Sequence, residues 1–218
     1  ARSEVRYATL NDGEKELFKQ AKAKELSCWL ETSAVRKILR HKISPNRIMT
    51  SRWILTWKPD ATLPNGRKAK ARLVVRGYQD PELDQVSTES PTLSRDARML
   101  LLQVISSSGW TVQNFDMTTA FLRGKSDGRQ LAMEPVAELK QLLNLSGDEV
   151  LLLEGNAYGR VDAPLLFYKE FRRQLEKVGF EAHPLDNCLF LLRNKKNPEV
   201  LRSEEHTSEL QSRETISY

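Results

Sequence analysis

The chain has 218 residues, 39% hydrophobic and 29% charged, an ordinary globular composition, long enough to bury a core in one large domain or two small ones. No apolar run approaches the ~20 residues of a membrane-spanning helix, no signal-peptide pattern is present, and a net charge of +5 favours a polyanion partner. Two cysteines, Cys28 and Cys188, make neither a disulfide framework nor a zinc site and read as buried thiols in a reducing compartment.

In chain order, residues 1–10 carry no pattern and read as a loose end. Asp12–Trp29 reads as a helix, capped by Asp12, with Leu17, Phe18, Ala21, Leu26, Trp29 and Leu30 as its apolar positions. Ala34–Ile43 reads as a second short helix or a turn, ended before Pro45. Ile48–Lys58 and Lys70–Tyr78 read as a hairpin, broken at Pro59, Pro64 and Asn65-Gly66. Trp53 and Trp57 are expected in its core. Gln79–Leu93 is a polar loop. Ser94–Ser107 reads as a helix capped by Ser94 and stopped by Gly109, with Met99, Leu100, Leu102 and Ile105 as a buried face. Trp110–Phe115 alternates like a strand and ends on Asp116.

Further on, Gln130–Met133 reads as a short strand, Val136–Leu143 as a helix, Asn144–Asp148 as a turn and Val150–Glu154 as a strand. A loop, Gly155–Asp162, feeds a helix over Ala163–Val178. Pro164 sits in its first turn, and Leu166, Phe167, Phe171 and Leu175 form its apolar stripe. Asn187–Leu192 is a last strand. This order suits an α+β sheet with helices on one face.

Three groups of residues could carry chemistry. Asp is a poor strand residue, so Asp116 at a strand end has two open readings: the cap of the following turn, or a metal-binding carboxylate. Arg67, Lys68, Lys70, Arg72 and Arg76 cluster at and after the hairpin tip. They read as a solvated edge or as an anion grip, since Lys offers a point charge and Arg a bidentate fork. The lone His41 reads as a surface residue. The tail stands apart. Arg202–Ser212 back-translates to a standard short-read sequencing adapter, and after three index-length codons Ile216–Tyr218 fits the next adapter segment. Residues 202–218 are therefore expected to be a library artefact. Without their two basic and four acidic residues the balance is 32 against 25, or +7.

Four blocks, in order, resemble reverse transcriptases of copia-type LTR retrotransposons. They are Arg52-Trp53 to Lys58 with Lys70-Ala71-Arg72-Leu73-Val74-Val75-Arg76-Gly77-Tyr78; Asp116-Met117 with Ala120-Phe121-Leu122 and Gly124; Met133-Glu134-Pro135; and Ala157-Tyr158-Gly159 to Phe167-Tyr168. The resemblance covers roughly Ala23 to Leu192. It implies an incomplete right-hand polymerase: a fingers hairpin and part of a palm of the ferredoxin-like, split βαβ type, α+β overall. On this reading residues 1–22 are an N-terminal extension, 23–201 the fingers and palm fragment, and 202–218 the adapter-derived piece. The implied reaction is RNA-directed DNA synthesis with two Mg²⁺ ions. Asp116 would be a catalytic, metal-binding carboxylate. Lys70 and Arg72 would grip the incoming nucleotide, with Met117, Thr119, Ala120 and Phe121 around it. Phe121 would exclude a 2′-hydroxyl or simply pack in the core. Tyr158 and Gly159 would shape the template side of the pocket.

The sequence departs from the family in two places. It has Arg160-Val161-Asp162 where the family usually has Leu-Lys-Gln, which puts template contacts of that loop in doubt and leaves helix capping open for Asp162. The family's Tyr-x-Asp-Asp hairpin is absent, so the chain is expected to be cut before it and to be inactive as given. The strand at Asn187–Leu192 is then expected to be an unpaired, aggregation-prone edge. The implied partners are an RNA or DNA template-primer, deoxynucleotides, and the protease, integrase and RNase H modules of one polyprotein. The implied location is a cytoplasmic particle or the nucleus, with no membrane. The alternative function is a non-catalytic nucleic-acid-binding remnant.

Overall fold

A computed structural model of the chain describes residues 4–117, 122, 128–194 and 197–201, without the side chains of 193, 194 and 197–201. It divides into two compact units, residues 1–88 with 119–166, and residues 89–118 with 167–218. Both mix helix and strand, so the α+β class holds.

In the first unit, α1 (Asp12–Glu31) opens with a reciprocal box. The Asn11 side chain accepts from the Glu14 N–H, and Glu14 accepts from the Asn11 N–H, so two otherwise orphaned donors are satisfied. The cap is thus Asn11, one residue before the expected Asp12. Phe18, Leu26 and Trp29 are its buried positions. The preceding segment is not loose. The Val5 N–H donates to the Leu55 carbonyl at 2.8 Å, and Leu10 is buried.

Five strands make the first sheet: β1 (Val35–Leu39), β2 (Ile48–Pro59), β3 (Arg67–Val75), β4 (Ala132–Glu134) and β5 (Glu149–Leu153). Their spatial order is β1-β5-β4-β2-β3. β1 corrects the expected helix or turn at Ala34–Ile43. Its residues pair antiparallel with β5, from Val35 with Leu153 to Leu39 with Glu149. β2 has two roles along its length. Ile48–Thr50 lie parallel to β4, and Ser51–Pro59 pair antiparallel with β3. The hairpin therefore projects beyond the body of the sheet. The chain reverses at its tip through Gly66, at φ 62°.

The core lies between α1 and this sheet. Trp29, Met49, Leu73, Leu122, Leu131, Met133, Leu139 and Leu151 form one cluster. Phe18 joins Leu55 and Ala71 in a second, and its ring meets Trp57 edge-on at 4.8 Å. Both hairpin tryptophans pack against these clusters, as the sequence predicts. Full burial of each large side chain stabilises by about 1.5–3 kcal/mol, so the Trp29 region anchors the unit. A short helix, α3 (Ala137–Leu142), buries Leu139 against the same core.

In the second unit, α2 (Arg95–Ser108) has the expected cap. Ser94 Oγ accepts from the Ala97 N–H, and Gly109 closes the helix at φ 66°. Its expected buried face is not buried: Met99, Leu100 and Leu102 are exposed, and none of its residues counts as core. The amphipathic spacing is real, but no described layer covers it. Trp110–Phe115 is likewise irregular rather than a strand, with Val112 and Phe115 exposed. Alternation cannot hold a strand that finds no sheet edge to pair with.

The helix α4 (Ala163–Lys177) starts in the first unit and runs into the second. In the second unit Phe167 stacks on Phe171 at 5.9 Å, and Phe171 meets Phe190 edge-on at 6.2 Å. Here a second sheet, not expected from the sequence, orders β6 (Phe180–His183), β7 (Asp186–Asn194) and β8 (Asn197–Leu201) as β6-β7-β8. β7 contains the strand expected to be an unpaired edge. It is the central strand instead, because Phe180–His183 and Asn197–Leu201 supply antiparallel neighbours on both sides. Asp186 ties the unit together, accepting from the Ser94 N–H at 2.9 Å and the Cys188 N–H at 2.8 Å. Among the described residues no helix is long and apolar enough to cross a membrane.

Candidate nucleotide-binding site

The first unit brings together four of the sequence-predicted residues. Lys70 and Arg72 are two residues apart on β3, so they share one face of the strand. The Arg72 guanidinium stands 5.7 Å from the centre of the Tyr158 ring. Tyr158 and Gly159 form the turn after β5, and this turn is laid backbone-on-backbone against the end of β3. The Val75 N–H donates to the Tyr158 carbonyl at 2.8 Å and the Gly77 N–H to the Gly159 carbonyl at 3.2 Å. Only glycine fits at both crossings. A Cβ on Gly159 would lie 2.1 Å from the Val75 oxygen, and one on Gly77 would lie 2.2 Å from the Gly159 oxygen.

Two residues that the sequence reading missed complete this cluster. Glu25 on α1 accepts from the Leu73 N–H and from Trp29 Nε1, both at 3.2 Å. Partial burial pushes its carboxyl above the usual range, and those hydrogen bonds pull it back. The signal was a lone acid on the apolar stripe of α1, four residues before Trp29. The other is Lys58, beside Lys70. Burial, and then the Arg72 charge, push the Lys70 ammonium down to about 8, with Lys58 adding to the effect and Glu25 opposing it. Burial also raises the Tyr158 phenol, and the Glu25 charge adds to this. Lys70 thus has two cationic neighbours, Arg72 and Lys58, and one acidic one, Glu25, a cationic patch that an anion would relieve.

Below the turn lies a buried ion-pair network. Asp162 accepts from Arg160 Nε at 3.0 Å and Nη2 at 2.7 Å, and from Arg129 Nη2. Arg129 Nη1 also donates to Asp80 at 2.8 Å and lies 3.4 Å from Glu82, which pairs with Arg47. The unusual Arg160-Val161-Asp162 therefore forms an ion pair within itself, and its acid is shared with Arg129. Asp162 immediately precedes α4, and its carbonyl accepts from the Leu166 N–H at 3.0 Å while its carboxylate takes the arginines.

Asp116 and Met117 belong to the second unit, Asp116 exposed and Met117 half-buried. Thr119, Ala120 and Phe121 lie outside the described residues. Among the described residues no three His, Cys, Asp or Glu side chains converge to hold a metal ion. Magnesium takes a near-octahedral set of hard oxygens. The described donor set does not fit a pair of such ions.

Comparison with known proteins identifies the family. Residues 39–201 match the family described as reverse transcriptase (RNA-dependent DNA polymerase). Over 154 residues, 69% of the chain, it is 33% identical to the retrovirus-related Pol polyprotein from transposon RE1 of Arabidopsis thaliana. It is 32% identical, over 69% of its length, to that from transposon RE2 of the same plant. To the counterpart from transposon TNT 1-94 of Nicotiana tabacum it is 26% identical over 69% of its length. The chain spans about a tenth of each of these polyproteins: 10%, 10% and 11%. No solved structure matches it. All four sequence blocks lie within the matched residues, and the chain belongs to the reverse transcriptase family of copia-type retrotransposons.

Proposed function

We propose that the chain is the fingers and part of the palm of an RNA-directed DNA polymerase, and that Lys70 and Arg72 grip the triphosphate of the incoming deoxynucleotide. The observation that carries this reading is the crowding of Lys58 and Arg72 against Lys70, with only the Glu25 carboxylate to oppose them, on the projecting hairpin of a chain of this family. A triphosphate supplies the anionic charge the patch lacks. The Arg72 fork and the Lys70 point charge are complementary ways to hold it. Met117, Thr119, Ala120 and Phe121 are assigned to the nucleotide side by family pattern, and Tyr158 and Gly159 to the template side. Titration of the chain with a deoxynucleoside triphosphate tests the grip. Lys70→Ala and Arg72→Ala should each weaken binding roughly tenfold or more, as expected for a charged hydrogen bond. Unchanged affinity in both sinks the assignment.

Asp116 is assigned as the first catalytic carboxylate. Reverse transcriptases use Mg²⁺, and one carboxylate does not hold two such ions. No Tyr-x-Asp-Asp occurs in the 218 residues, so we infer that this chain does not extend a primer. Incorporation above that of an Asp116→Asn control, on an RNA template with Mg²⁺, would contradict this. The partners of the working protein are then a template-primer and the protease, integrase and RNase H modules of its polyprotein, in a cytoplasmic particle or the nucleus. Residues 202–218 are read as adapter-derived and lie outside the family match.

A second reading, a nucleic-acid-binding remnant without catalysis, is favoured by the +7 balance of residues 1–201. Duplex binding that falls steeply with salt fits both readings. Primer extension after an Asp-Asp hairpin is supplied separates them.

A further inference from the structure

We propose that Arg129, Asp162, Arg160 and Asp80 act as positioning residues that hold the Tyr158–Gly159 turn on the end of β3, and so hold Tyr158 beside Arg72. The inference rests on the assignment of Arg72 to the triphosphate.

The residues come from three separate stretches of the first unit. Asp80 and Glu82 follow β3, Arg129 precedes β4, and Arg160 and Asp162 follow the turn. Asp80, Arg160 and Asp162 are all buried. Their ion pairs join the same two segments that the Val75 to Tyr158 and Gly77 to Gly159 backbone bonds join. Those two bonds hold the turn through the backbone only. Gly77 and Gly159 have no side chains with which to lock it, and the crossing excludes any that could be added. The side chains that flank the crossing are Ala157 and Tyr158, packed on the core, and the charged network, which ties the two segments together through Arg129.

Among the described residues, Asp80, Glu82 and Asp162 pair with Arg47, Arg129 and Arg160. The effect of this network on Arg72 runs through the geometry of the Tyr158 turn. Breaking one partner of a buried pair leaves an uncompensated ion, and the segments it joined move apart to hydrate it. The Tyr158 turn would then withdraw from β3, taking the ring away from Arg72.

A double-mutant cycle on the full chain tests this, with inorganic tripolyphosphate as the probe. Asp162→Asn should weaken binding about tenfold, within the usual coupling between linked residues, and should have little further effect in the Arg72→Ala background. A purely structural role gives a different pattern. Thermal stability falls, while the affinity of the folded fraction stays put or the two substitutions add; either result overturns the inference while leaving the triphosphate grip intact. If Arg72→Ala itself binds as the parent does, the grip reading fails and the positioning role falls with it. Should Asp162→Asn not fold, Asp80→Asn goes through the same cycle, since it breaks the network at its other end and leaves Asp162 its two arginines. Additive behaviour there overturns the inference equally.

Discussion

Substituting Gly159 by alanine should cost the first unit about 3–5 kcal/mol, and the sum can be worked from two separate terms. The residue sits at φ 93°, where a side chain is strained by about 1–3 kcal/mol. The added Cβ would also stand 2.1 Å from the Val75 oxygen, a backbone atom that cannot rotate away. The turn must retreat, and the two backbone hydrogen bonds at 2.8 and 3.2 Å are lost, at about 1 kcal/mol each. Urea unfolding followed by tryptophan fluorescence is the assay, because Trp29, Trp53 and Trp57 all report on this unit. At a slope of about 2–3 kcal/mol per molar urea, the midpoint should drop by about 1–2.5 M. Gly66→Ala is the control. It has a similar positive φ, 62°, but nothing within 4 Å of its Cβ, so it isolates the backbone term. Equal losses in the two variants would refute the claim that the turn is held by close approach to β3.

Four further outcomes are expected. Tripolyphosphate binding should weaken as pH rises through about 8, where Lys70 loses its proton, and Lys70→Arg should flatten that profile; a flat profile in the parent chain removes Lys70 from the grip. The same depressed lysine makes the unfolded chain bind more protons between about 8 and its ordinary 10.5, so the Lys70 contribution to stability should rise with pH across that window. Asn11→Ala, which removes half of the reciprocal cap of α1, should lower stability by about 1 kcal/mol in the same urea assay. Trp29→Ala should lower it by about 3–5 kcal/mol, and should free the Glu25 carboxylate from one of its two donors.

What the sequence made legible was local. The Asn65-Gly66 turn between two β-rich runs announced the hairpin, Ser94 and Gly109 bracketed α2, and Pro164 marked the start of α4. What it hid was non-local. Val35-Arg36-Lys37-Ile38-Leu39 has apolar residues at both helical and extended spacings, and only pairing with β5, far along the chain, decides for a strand. Trp110–Phe115 failed in the opposite sense, having the alternation but no neighbour. On α2 the stripe was read correctly, yet periodicity says which face is apolar and not whether anything covers it. The site divided along the same line. Lys70 and Arg72 were visible as a motif, and Tyr158 and Gly159 as another. Arg129 was not, because a single arginine in a polar stretch carries no local mark, and its acids lie 49 and 33 residues away.

The divided role of β2 has a consequence for how the chain folds during synthesis. Its outer part pairs with β3, the next strand to emerge, and α1 is already made, so the hairpin and its cover can form at once. Its first three residues wait for β4, and β1 waits for β5. At about 5–20 residues per second, the roughly 80 residues between the ends of β3 and β5 take on the order of 4–16 s to appear. Throughout that interval β1 and Ile48–Thr50, with the apolar Met49 that ends up fully buried, present open strand edges on the ribosome. The nascent chain is most exposed to mispairing there, and chaperone demand should peak before residue 150 and fall once β5 closes the sheet.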